Sequence, residues 1–117
     1  MAIDERLAAR VRELLGAKGV VVEKPMMGGL AFMVNGAMCC SVGVDGLLVR
    51  IRPGERDQLC ALEHVQPMKL GGRTMRGFVR VMTAGVRTRK TLEQWLTRGL
   101  SAAKHPGGHE GPSARRG

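Results

Sequence analysis

The chain has 117 residues, 44% of them hydrophobic and 25% charged, a balance that excludes disordered and fibrous classes and fits one compact domain. Its formal net charge is +9, and the excess is concentrated in the second half. Between Glu63 and Glu93 stand Lys69, Arg73, Arg76, Arg80, Arg87, Arg89 and Lys90 with no acid among them. Such an imbalance favours an acidic partner, nucleic acid foremost, and says nothing about the fold.

The chain opens on Asp4, Glu5 and Arg6 rather than a basic flank and apolar run, so no secretory signal is expected. Ile3, Leu7, Val11, Leu14 and Leu15 share one helical face, which predicts a helix over 3–17 with Asp4 as N-cap and Gly16 and Gly19 as stop signals. From Val20 to Ile51 the period falls to two. Val20–Val22 reads as a strand limited by Pro25, and Leu30–Val34 as a second after Gly28-Gly29. Asn35-Gly36 is a hairpin turn leading to Met38–Val42, because a type I′ turn needs positive φ at both central residues. A second turn at Asp45-Gly46 leads to Leu47–Ile51, giving a meander of about four strands. The stretch 25–44 is uncharged and long enough to span a bilayer, but its glycines read as strand punctuation, and no membrane contact is expected.

Pro53 suits the first turn of a helix over 53–63 that carries Leu59, Cys60 and Leu62 toward the core. After Pro67 comes a glycine-broken segment, 69–77, expected as a loop that presents Arg73 and Arg76. The alternating strand 78–82 then sets Val79 and Val81 on one face and Phe78, Arg80 and Met82 on the other. The last helix is expected near Thr91, with Thr91 and Gln94 as a capping box and Leu92, Trp95, Leu96, Leu100 and Ala103 buried. Gly99 inside that helix costs about 1 kcal/mol against Ala, which points to a close packing contact. Residues 105–117 lack apolar periodicity and are expected to form a flexible basic, Gly-rich tail, leaving a domain over 1–104. The order α-β-β-β-β-α-β-β-α describes a two-layer α+β domain, an antiparallel sheet of about five to six strands with helices packed on it.

Three cysteines are an odd count and Cys39 and Cys40 are adjacent, so a disulfide framework is not expected and a reducing cytoplasm is. Cys39, Cys40, Cys60 and His64 contain no Cys-x-x-Cys pair and lack the spacing of a closed zinc site, while His105 and His109 in the expected tail could hold a metal only adventitiously. On a regular strand Cys39 and Cys40 point to opposite faces. Catalysis through Cys60 and His64 requires a converging carboxylate that the spacing does not supply. Neither Gly28-Gly29 nor Gly71-Gly72 fits a phosphate-loop or dinucleotide fingerprint. No catalytic residue, metal, cofactor or small-molecule substrate is expected. Met26, Met27, Met33, Met38, Met68, Met75 and Met82 gather on the sheet segments, mainly as gap fillers in a core with three aromatic residues.

The runs Met26–Cys40, Leu48–Ile51, Gln66–Met68 and Gly72–Val79 together resemble the TfoX N-terminal domain of the TfoX/Sxy family of bacterial competence regulators. The likeness extends from the first helix to about Ala103, with Trp95 where the family's last helix usually has one. It implies a stand-alone cytoplasmic α+β domain without catalytic activity, and for longer members positive regulation of DNA-uptake genes alongside the cyclic-AMP receptor protein. Here the chain carries Met27 where the family often has Phe, and Lys69 where it often has an acid, which adds to the basic patch. The expected function is that of an accessory regulatory module contacting DNA or a DNA-bound transcription regulator through Lys69, Arg73, Arg76 and Arg80, helped by Arg87, Arg89 and Lys90. The alternative is a protein–protein or homodimerisation module using a Met-rich sheet edge or face.

Overall fold

The computed structural model describes residues 3–26 and 28–104. The expected tail, with His105 and His109, and Met27 lie outside the described residues. The elements are α1 (Glu5–Gly16), β1 (Val21–Met26), β2 (Gly29–Val34), β3 (Ala37–Val42), β4 (Gly46–Arg50), a 3₁₀ turn (Pro53–Glu55) running into α2 (Arg56–Cys60), β5 (Val65–Leu70), β6 (Arg73–Met82), a second 3₁₀ turn (Thr83–Val86) and α3 (Arg89–Lys104). The fold is α+β: one six-stranded antiparallel sheet in the order β1-β2-β3-β4-β6-β5, with the helices on one face.

Local chemistry accounts for most boundaries. Asp4 Oδ1 accepts the Leu7 N–H at 3.0 Å and starts α1, satisfying one of its orphan donors. Asn35 and Gly36 take φ of 52° and 89°, the type I′ geometry that joins β2 to β3. β1 runs through Pro25 instead of stopping before it, because an edge strand has a side on which a missing N–H goes unused. The link from β3 to β4 is a wider loop closed by the Gly43 N–H on the Gly46 carbonyl at 2.9 Å. α2 ends at Cys60, so Leu62 falls in the following turn at 51% exposed rather than in the core. α3 starts two residues earlier than expected: Thr88 Oγ1 accepts the Thr91 N–H at 3.1 Å, and Thr91 Oγ1 donates back to the Thr88 carbonyl at 3.0 Å. The capping pair is therefore Thr88 with Thr91.

The glycine-broken segment is not a loop. Its Gly71 and Gly72, at φ 60° and 81°, form a two-residue turn between β5 and β6, so Arg73 and Arg76 lie on a strand.

The principal core lies between the helices and the sheet. Leu7, Val11 and Leu15 of α1 and Leu92, Trp95 and Leu96 of α3 pack on Phe32, Val42, Val49, Val79 and Val81. Gly99 is the expected close contact, since a Cβ there would lie 2.7 Å from the Cys39 carbonyl oxygen. A second, smaller cluster occupies the face without helices: Ala31, Met38, Leu48, Met68 and Phe78, flanked by Met33 and Met75. Met68 of edge strand β5 reaches this cluster because the β5–β6 ladder shifts from Pro67↔Val79 to Met68↔Met75. The extra residues on β6, Arg76 to Phe78, bend the hairpin at that point, as bulges do. Of the methionines, Met38 and Met68 are buried, Met33, Met75 and Met82 half-buried, and Met26 is 40% exposed.

Candidate functional site

The seven cations do not form one patch. Lys69 and Arg73 flank the Gly71-Gly72 turn, where Lys69 pairs with Thr74 and Leu70 with Arg73, and Arg76 sits in the bulge just behind them. All three are exposed. β6 spans up to about 30 Å at roughly 3.3 Å per residue, and Arg87, Arg89 and Lys90 lie beyond its other end. These form a second group at the start of α3, where Arg10 Nη2 donates to the Arg87 carbonyl at 3.1 Å.

Arg80 belongs to neither group. It projects from the helix-free face, between Leu48 on β4 and Gln66 on β5, and its Nη1 lies 3.1 Å from Asp45 Oδ1. Ion pairs among the described residues take up Arg12, Arg56, Arg80 and Arg98, and none involves Lys69, Arg73 or Arg76. The hairpin tip is therefore an exposed cationic group with no carboxylate within pairing distance among the described residues, and the same holds for Arg87, Arg89 and Lys90 at the start of α3.

Two further basic side chains occupy the helix-free face. Lys24 shares the face of Ala31 across the β1–β2 pairing. Arg50 is half-buried, with Nε donating to the Met38 carbonyl at 2.6 Å and its guanidinium 5.0 Å over the Phe78 ring. Burial pushes the Arg50 pKa down, and the ring's negative face compensates in part.

The cysteine geometry departs from the expectation. β2 and β3 pair as Phe32↔Cys40 and Met33↔Met38, which leaves Cys39 as an extra, bulged residue. Both thiols consequently turn toward the helix layer and are fully buried. The Cys39 thiol donates to the Leu96 carbonyl at 3.8 Å. Cys40 is held well above the usual thiol range by hydrogen bonding to Cys39 and by burial. Cys60 is also raised, by burial, and thiols of high pKa are poor nucleophiles. His64 is exposed and faces Glu63 at 3.8 Å, and neither Cys60 nor His64 lines the two clefts beside α3 or the small notch between β2, β3 and β4. No group of three metal-ligating side chains occurs among the described residues. No helix among them is long and apolar enough to cross a membrane.

One feature was hidden in the glycines. The pairing register aligns Lys24, Ala31, Ser41, Leu48, Arg80 and Gln66 in one row across the helix-free face. Beside that row Gly29, Gly43 and Gly46 leave a notch of about 110 Å³, lined also by Gly28, Ser41, Asp45 and Arg80. Along the chain these glycines look like turn residues, and only strand pairing brings them together.

Comparison with known proteins adds a single match. No curated protein and no solved structure matches the chain. The sequence profile of the TfoX N-terminal domain matches residues 13–103, a span that reaches from within α1 to the end of α3 and takes in every strand of the sheet. With most of its length and its whole sheet inside that match, the chain belongs to the TfoX N-terminal domain family.

Proposed function

We propose that this domain is a non-catalytic regulatory module that docks onto DNA, or onto a DNA-bound regulator of DNA-uptake genes, through the β5–β6 hairpin. The observation that carries the reading is the hairpin tip itself. Lys69, Arg73 and Arg76 are exposed on a bent projection with no carboxylate paired to them among the described residues. Arg side chains can grip phosphates bidentately, and released counterions supply the affinity. Pairing of Lys69 with Thr74 and Leu70 with Arg73 holds these residues on strands, which lowers the entropic cost of presenting them. The α3 group, Arg87, Arg89 and Lys90, stands at the far end and serves as a secondary contact, while Arg80, paired with Asp45, contributes least.

The test is duplex-DNA affinity of two charge-reversal variants, Arg73→Glu/Arg76→Glu and Arg87→Glu/Arg89→Glu. The hairpin variant is expected to lose at least tenfold in affinity and the α3 variant less. Equal losses, or none, overturn the reading.

A second reading has its own observation. Edge strand β1 exposes Val22 (48%) and Met26 (40%), apolar side chains that suit strand-to-strand pairing of two copies. Sedimentation across micromolar concentrations separates the two readings, because a homodimer through β1 dissociates on dilution and is abolished by Val22→Lys.

A further inference from the structure

We infer that the glycine notch on the helix-free face binds a small oxyanion, a carboxylate or phosphate, through the Arg80 guanidinium and the Ser41 hydroxyl, with Asp45 as a built-in competitor. Three observations converge there. Ser41 is the buried polar side chain of this face, 1% exposed, and its hydroxyl makes no hydrogen bond to a described residue. A buried hydroxyl without a partner costs stability unless something else satisfies it. The notch is where that hydroxyl points: a Cβ added at Gly29 would lie 2.9 Å from Ser41 Oγ.

The second observation is the geometry of Arg80. It meets Asp45 through a single Nη1–Oδ1 contact of 3.1 Å, which leaves most of its five N–H donors unmatched. A planar guanidinium pairs best with an oxyanion that takes two parallel hydrogen bonds. Asp45 supplies one, from an exposed loop.

The third is size. About 110 Å³ is the room of three or four waters at roughly 30 Å³ each, enough for acetate or phosphate and far below the clefts that hold nucleotides or sugars. Side chains at Gly29 and Gly46 are barred by the Val42 and Val81 carbonyl oxygens, 2.5 and 2.3 Å from an added Cβ, so the notch stays open for reasons built into the sheet. A cation is disfavoured by Arg80, and Asp45 is already engaged with it.

The experiment is amide NMR of the full chain titrated with sodium phosphate and, separately, sodium acetate, against sodium chloride at matched ionic strength. Expected are saturable shifts at Ser41, Gly29, Gly43 and Gly46 in at least one arm; the arm that saturates identifies the oxyanion. Asp45→Asn is expected to tighten binding several-fold by removing the competitor. Arg80→Gln is expected to weaken it about tenfold, the worth of one charge-assisted hydrogen bond, and Ser41→Ala to weaken it less. Shifts no larger than those from chloride, or an Asp45→Asn variant that binds no tighter, overturn the inference. Should Arg80→Gln fail to fold, Asp45→Asn decides alone, since its side chain is exposed. The hairpin-tip cations Lys69, Arg73 and Arg76 take no part in this site, so the DNA test and the anion titration fail independently.

Discussion

Arg12 forks onto Glu23, with Nη2 2.8 Å from Oε1, and ties the outer face of α1 to the edge strand. The hydrogen bond from Arg12 is the main cause that holds Glu23 below its ordinary value of 4.5. A carboxylate depressed in the folded state stabilises the fold above its unfolded pKa, and that contribution disappears as pH falls through the folded value. Glu23→Gln is therefore expected to lower Tm slightly at pH 7 and to match the parent in acid strong enough to protonate Glu23 in the folded protein. An equal gap at both pH values contradicts this. The thiols give a second check at this scale. Cys39 and Cys40 lie under α3 and Cys60 is partly exposed, so native protein treated with an alkylating reagent is expected to label at Cys60, and at the other two only on unfolding. Mass spectrometry reads the sites; early labelling of Cys39 contradicts the buried bulge. Asp4 was legible as a cap because capping is a local chemical act. The shared side of Cys39 and Cys40 was not, because a bulge belongs to a pair of strands rather than to either one.

At the scale of elements, Gly99 shows how packing overrides propensity. Alanine gains about 1 kcal/mol of helix propensity there. Its Cβ would meet the Cys39 carbonyl oxygen at 2.7 Å and Cys39 Sγ at 2.9 Å, both in the fully buried bulge beneath α3, where neighbouring core side chains leave little room to yield. Gly99→Ala is expected to destabilise by about 1–3 kcal/mol, as overpacking usually does, measured by urea unfolding with m unchanged. Stabilisation means that α3 sits farther from the sheet than described. The helices, the meander and the Asn35-Gly36 turn were legible because period and turn chemistry agree along each segment. The β5–β6 hairpin was partly hidden. Pro67 and the glycines Gly71, Gly72 and Gly77 read as breakers, yet Gly71-Gly72 supplies the two positive φ values a tight turn needs, and Pro67 is tolerated on edge strand β5. Arg73 and Arg76 consequently stand on a strand rather than in a loop, which fixes their spacing.

For the whole molecule, a single helix-covered sheet divides the surface into two unlike faces. The helix face spends its apolar residues on the main core. The opposite face is closed largely by its own methionines, Phe78 and Arg50, with the glycine notch at one side and the bent hairpin at the other. Charge asymmetry was visible in the sequence, but its division into a hairpin group, an α3 group and the paired Arg80 depends on the length and direction of β6. The central claim, that the hairpin tip grips phosphates, is tested most directly by the slope of log affinity against log salt for duplex DNA. Each phosphate contact contributes about −0.9 to that slope. Replacing Arg73 and Arg76 by Ala is expected to flatten it by up to about 2, while Arg87→Ala/Arg89→Ala flattens it less; a slope identical to the parent's in the hairpin variant contradicts the claim.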